Sequence, residues 1–297
     1  MSTGSRRKFL VQTTGLAAAA LAAPWLSRSA RANPLGKPVG IQLYTIKDAM
    51  EADAPAALKT LREIGYGEVE TAGFGKRTAK QFRALLDDNG LASPSAHLSF
   101  DLDNLGPAFD DANALGAKYA TSGSLDGLLK KPGMSMKAGM SLDDAKRTAE
   151  VASRIGAAAK RAGLQYVYHN HAGEFADQGD GKTGYDVLLR ETDADLVKFE
   201  IDCGWMVFAG HDPVEYFKKH PQRFPLIHVK DFLPESKKGG EMLGAELGHG
   251  VVDYKPIFAA AAKAGLQHYF VEQEGPFARM TPMEAARVGY AYLHALA

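Results

Sequence analysis

The stretch GLQYVYHNHAGEF, residues 163–175, holds a helix-ending glycine, a strand and a polar strand end in one short run. Gly163 closes an amphipathic pattern over 141–162, Leu164 to Val167 is an apolar β-forming run, and Tyr168-His-Asn-His171 with Glu174 follows it. Alone, a His-x-His behind a strand reads as a polar turn, so its weight depends on whether the unit recurs. Similar apolar runs stand at 39–44, 66–70, 93–97, 119–122, 165–170, 197–202, 226–230 and 269–272. Between and after them lie helical patterns at 54–64, 78–88, 108–115, 141–162, 185–190, 213–220, 254–264 and 282–296. Gly65, Gly90, Gly116, Gly163 and Gly265 suit left-handed helix ends, while Pro213 behind Asp212 and Pro282 behind Thr281 suit first helical turns. Eight such alternations predict an α/β fold, a (β/α)8 TIM barrel over residues 33–297, with a doubly wound open sheet as the alternative.

A barrel turns sequence positions into places, because such folds build their sites at the carboxyl ends of the strands. The polar residues there are Glu70, His97, His169, His171, Glu174, Asp202, His228 and Glu272. Carboxylates and imidazoles converging from different strands are the donors that a divalent cation takes. In the sixth run Val197, Phe199 and Ile201 share one face and Lys198, Glu200 and Asp202 the other. With the apolar face on the helices, Asp202 points into the mouth. His228 and Lys230 share a face in the seventh run, and two polar residues inside one barrel need a common reason. Glu272 and Glu274 share a face in the eighth, where Glu274 reads as a solvated strand end. Cys203 is the only cysteine, so a cysteine-based zinc cluster and an internal disulfide are both excluded.

Residues 1–32 read as a twin-arginine export signal: Ser5-Arg-Arg-Lys-Phe-Leu10, an Ala-rich segment broken by Gln12, Thr13, Thr14 and Pro24, and the small-x-small pattern Ala30-Arg-Ala32. The apolar run is too short and polar for a membrane anchor. Export by this route carries folded proteins and predicts a periplasmic location. The whole chain has zero formal charge, and this segment holds five basic residues and no acid. Residues 33–297 therefore carry about five net negative charges, which argues against a nucleic-acid or anionic-membrane partner.

The motifs HNHxxEF, IDCGW followed by AGHDP, HVKD, LGxGVVDY and VEQE, in that order, resemble the sugar phosphate isomerase/epimerase family with its xylose-isomerase-like barrel. The resemblance runs from residue 39 to the C-terminus. It implies a divalent metal, manganese first, with magnesium, cobalt or zinc also accepted. It makes Asp202, His228 and Glu272 ligands. The fourth position falls on Glu174, or on His169 or His171, because the fifth strand contains no glutamate. It also implies isomerase or epimerase chemistry on a sugar or keto-sugar through a metal-stabilised enediolate, with Glu174 and Glu272 moving the proton. A lyase or dehydratase acting on a 3-keto-glycoside or inosose-like compound is the alternative, and a sugar-binding barrel without catalysis is a third. Gln42, Tyr44, Glu70, His97, His169, His171 and Lys230 are expected to line the sugar site, with Trp205 as an apolar wall. A homo-oligomer is left open. The long segment 124–140 reads as a lid or a surface loop.

Overall fold

The computed structural model describes residues 1, 33–123, 125, 139–236, 242–275, 277 and 279–296. Most of the expected export signal, and nearly all of the expected lid, lie outside these residues. No helix among the described residues is long and apolar enough to cross a membrane.

Eight parallel strands close into a barrel. They are β1 (Gly40–Gln42), β2 (Glu68–Ala72), β3 (Ala92–His97), β4 (Tyr119–Ser122), β5 (Gln165–His169), β6 (Val197–Asp202), β7 (Leu226–Val229) and β10 (His268–Val271), and β10 pairs with β1 to close the ring. Around them run α1 (Lys47–Ile64), α2 (Ala79–Asp88), α3 (Gly106–Leu115), α4 (Leu142–Arg161), α5 (Gly184–Glu191), α6 (Cys203–Phe208), α7 (Pro213–Lys219), α8 (Tyr254–Ala264) and α9 (Pro282–Leu296). Local chemistry sets the helix ends. Thr78 and Gln81 cap α2 reciprocally, and Ser141, Asp212 and Asp253 accept first-turn N–H groups of α4, α7 and α8. Gly116 ends α3 in the left-handed region at φ 75°.

Three departures from the sequence expectation shape the mouth. Strand β1 stops at Gln42, because the Gln42 side chain accepts from Tyr44 N (3.0 Å) and turns Leu43–Ile46 into a 3-10 turn. Helix α6 follows β6 without a loop: Asp202 Oδ1 accepts from Trp205 N at 2.9 Å and so caps it. A Cβ on Gly204 would lie 2.8 Å from the Lys230 carbonyl oxygen, so only glycine lets α6 sit this close to the end of β7. Third, β8 (Asp231–Phe232) and β9 (Gly244–Ala245) form an antiparallel hairpin that follows β7. Asp231 holds it, accepting N–H groups from Phe232, Gly248, Gly250 and Val252 at 2.9–3.1 Å. This ties HVKD to LGxGVVDY physically. His249 of that segment is exposed.

Inside the barrel, Tyr119, Val167, Leu226 and Phe270 form an apolar cluster separate from the main core between strands and helices. Burial of each such side chain contributes about 1.5–3 kcal/mol. At the amino end Glu68 and His268 pair at 2.8 Å. Toward the carboxyl end the interior becomes polar, and strand register sets its layers: Gln42 lies beside Glu70, Glu70 beside Ser95, His169 beside Glu200, and Asp202 beside His228.

Candidate metal centre

Two groups of donors converge in this polar layer. The deeper comprises His97, His169, Glu200 and His228. The one nearer the mouth comprises His169, Asp202, His228 and Glu272, and in each group the donor atoms lie within 4.8 Å of one another. All these residues are buried except the half-buried His97.

His228 joins the groups. Its Nδ1 faces Glu272 Oε2 (3.0 Å) and Asp202 Oδ2 (3.8 Å), and its Nε2 faces Glu70 Oε2 (2.7 Å) and Glu200 Oε2 (3.2 Å). Glu200 Oε2 also meets His97 Nε2 and His169 Nδ1, each at 3.0 Å. Glu70 is held from the other side by Gln42 Nε2 (2.8 Å) and by the Ser95 hydroxyl. A neutral imidazole has one lone pair and one N–H. If His228 gives Nδ1 to a metal, its Nε2–H is left to donate to Glu70 or Glu200, and the same division serves His169. In that arrangement the group nearer the mouth would be the ligand shell, and the carboxylates behind it would orient the imidazoles.

The charge distribution fits. Burial opposes ionisation of Glu70, but the neighbouring His97 and His228 outweigh it and hold the carboxyl well below its usual range. Burial likewise opposes charge on His97, yet Glu70 and Glu200 push it up to about 10. His228 is raised against burial by Glu200 and Glu272. His169 is driven down by burial and by His228, so it carries a neutral ring. Burial and Glu70 raise Glu200 to about 7, and burial also raises Asp202 in spite of Lys230. Glu272 is kept ionised against burial by Lys230 and His228.

The donors fit a divalent ion. Among the described residues, Glu200 Oε1 and Asp202 Oδ2 are buried without a hydrogen-bond partner. Lys230 Nζ does lie 3.0 Å from Asp202 Oδ2, but at an angle that makes an ion pair and no hydrogen bond. Two imidazoles with two carboxylates suit manganese, cobalt or zinc better than an all-oxygen magnesium cage.

Of the alternatives for the fourth position, His169 lies in both donor groups and Glu174 in neither. Glu174 sits on the 3-10 turn Gly173–Phe175, where Oε1 accepts from Tyr168 OH (2.9 Å) and Oε2 from His171 N (3.1 Å). Tyr168 alternates with His169 along β5 and therefore points to the helices, which takes Glu174 to the outer side of the barrel wall. Glu174 braces the loop and belongs to neither donor group; His169 stands in the place expected of it. His171, half-buried, lies edge-on to His169 with centroids 5.0 Å apart. Trp205 is buried beneath Lys230, whose Nζ is 4.9 Å from its ring centroid, so it forms a platform rather than a wall. Tyr44 remains exposed at the rim, held by Lys47. Glu274 is no solvated strand end, since it binds Lys230 Nζ at 2.5 Å. Glu200 is the residue that motif reading passed over, although its face-sharing with Asp202 was visible in the alternation.

The model of the xylose isomerase-like TIM barrel family matches residues 58–295, and the chain belongs to that family. An inosose dehydratase from Lacticaseibacillus casei is 30% identical over 268 residues, spanning 80% of this chain and 88% of that protein. The crystal structure of a sugar phosphate isomerase/epimerase from Parabacteroides distasonis superposes with a TM-score of 0.73 at 28% identity, covering 90% of this chain and 96% of that one. A xylose isomerase-like TIM barrel protein from Mycobacterium smegmatis in complex with magnesium shares the fold, with a TM-score of 0.61 at 18% identity over 87% of this chain and 96% of that one.

Proposed function

We propose that the chain is a divalent-metal-dependent lyase that removes water from a cyclic polyhydroxy ketone of the inosose or keto-sugar class. The observation that carries this reading is the asymmetry of the site. Epimerisation takes a proton from one face of a carbon and returns one to the other, which calls for a base on each face. Here the fifth strand contributes the imidazole of His169, while Glu174, the expected second base, is turned to Tyr168 and the His171 backbone. Glu272 is left as the ionised carboxylate of the ligand shell that faces the mouth. The identity to inosose dehydratase supports the same conclusion.

His169, Asp202, His228 and Glu272 would hold the ion. A divalent ion bound there supplies a Lewis acid that polarises the ketone and stabilises the negative charge developing as the neighbouring C–H is broken. Glu272 Oε2 faces His228 and Lys230, and no hydrogen bond among the described residues engages its Oε1. Oε1 accepts the proton from the carbon beside the ketone. The same carboxyl then returns it to the hydroxyl leaving from the next carbon on that face, so the leaving group departs as water. Lys230 adds a fixed positive charge, since burial opposes its ionisation but Asp202, Glu272 and Glu274 outweigh it and raise its pKa.

The test is product analysis with scyllo-inosose and a 3-keto-glucoside in the presence of manganese. Loss of one water, with an unsaturated ketone absorbing in the ultraviolet, is expected for the wild type and for Glu174→Gln and is lost in Glu272→Gln. A product of unchanged mass in ordinary water, one mass unit heavier in D2O from deuterium at the exchanging carbon, would instead establish the isomerase or epimerase reading. His171, held neutral with its pKa lowered to about 4 by burial and Lys230, is the group that would then act on the second face. We also propose periplasmic export through the twin-arginine sequence; retention of an Arg6→Lys, Arg7→Lys variant in the cytoplasm checks it.

A further inference from the structure

Lys230 is buried, and its ammonium is surrounded by three carboxylates: Asp202 Oδ2 at 3.0 Å, Glu272 Oε2 at 2.8 Å and Glu274 Oε1 at 2.5 Å. Glu274 accepts a hydrogen bond from the ammonium, while Asp202 and Glu272 meet it as ion pairs. Two of those oxygens have a second orientation to satisfy. Asp202 Oδ2 and Glu272 Oε2 are also the oxygens that face His228 Nδ1, and so they face the position of a divalent ion in the ligand shell. An ammonium and a divalent ion drawn to the same two oxygens repel each other at close range in a low-dielectric interior. Glu274 differs from the other two acids. It belongs to neither donor group, its side chain is 26% exposed, and it stands two residues beyond Glu272, past the end of β10.

We propose that Lys230 is the resident counter-cation of the Asp202–Glu272 pair and that a divalent metal displaces its ammonium onto Glu274 alone. The surroundings of the lysine suit a movement confined to the end of the side chain. Its base is wedged against α6, where a Cβ on Gly204 would lie 2.8 Å from Lys230 Cβ, and its Nζ rides 4.9 Å from the centroid of the Trp205 ring. A cation sliding over an aromatic face keeps that attraction as it moves. The consequence is an ordered assembly: the ammonium turns toward the mouth, and toward the oxygen of a bound ketone, only once the metal is in place. In the metal-free protein the same ammonium shares with His228 the neutralisation of these buried carboxylates. The inference rests on the reading of His169, Asp202, His228 and Glu272 as a metal centre, and deepens it.

The experiment is manganese and zinc affinity, measured by competition with a chromogenic chelator on the full chain, for wild type, Lys230→Met and Lys230→Arg. Lys230→Met keeps the length and removes the charge, and its metal dissociation constant is expected to fall about tenfold or more. Lys230→Arg, which keeps the charge, should bind no more tightly than wild type. A lysine that merely pre-arranges the carboxylates predicts the opposite sign for Lys230→Met, so equal or weaker binding there overturns the displacement and leaves the metal centre standing. If neither wild type nor Lys230→Met binds metal, the metal centre itself fails. Should Lys230→Met not fold, crystals of the wild type with and without manganese decide the matter. In the loaded form, Nζ within hydrogen-bond distance of Glu274 and of neither Asp202 nor Glu272 supports the proposal, and Nζ still on Asp202 and Glu272 beside a bound ion refutes it.

Discussion

Glu200→Gln isolates the work of the carboxylates behind the ligand shell. Glu200 Oε2 lies 3.0 Å from His97 Nε2, 3.0 Å from His169 Nδ1 and 3.2 Å from His228 Nε2, so one oxygen fixes three rings. At an effective dielectric constant of 20, a unit charge 3.2 Å away interacts with roughly 5 kcal/mol of gross Coulomb energy. Most of that is offset by the cost of burying both groups. The glutamine keeps the size and one acceptor oxygen but loses the charge, and its amide cannot orient three donors. Removing an outer-shell partner of a metal-binding histidine weakens metal affinity about 10–100-fold, equivalent to about 1.4–2.8 kcal/mol. The assay is a zinc or manganese titration against a chelator, with thermal unfolding of the metal-free protein alongside. A lower Tm with affinity within about threefold of wild type would show Glu200 to be only a structural ion-pair partner and would refute the division into ligand shell and orienting shell.

The pH dependence of metal binding has a definite sign. The raised His228 pKa means that its ring is protonated in the metal-free protein, and a ligand ring must shed that proton. Affinity should fall about tenfold for each pH unit below that pKa, with about one proton released per metal bound; calorimetry in two buffers of different ionisation enthalpy counts it, and a pH-independent affinity through the neutral range refutes it. Gly250→Ala would bring a Cβ to within 2.1 Å of Asp231 Oδ1, displacing the carboxylate that holds the hairpin. A loss of about 1–3 kcal/mol is expected, or about 2–4 °C in Tm per kcal/mol; an unchanged Tm would show that the hairpin yields freely.

The legible part of the site was the part written in alternation. Asp202 and His228 lie inside the barrel because period-two faces, once the apolar face is assigned to the helices, leave no other side for them, and their cross-strand pairing follows from parallel register. Glu272, at the end of the last strand, follows in the same way. Glu174 misled because it comes after the strand, where alternation no longer applies. A 3-10 turn returned it to Tyr168, and only the folded loop reveals that. Glu200 was missed for a different reason: a carboxylate midway along an interior strand has no motif of its own, and its worth lies in the three imidazoles that reach it from β3, β5 and β7.

The amino-acid sequence by itself determined the eight β/α repeats, the helix ends and the face of each strand that turns inward, because these depend on residues a few positions apart. Tertiary structure alone decided which nitrogen of His228 faces Glu272, that His169 and not Glu174 lies with Asp202, His228 and Glu272, and that Lys230 pairs with two of those acids. Those facts are distances between side chains from different strands, set by barrel closure and by hydrogen bonds spanning up to 158 residues of chain, as between His228 and Glu70. No local periodicity encodes them.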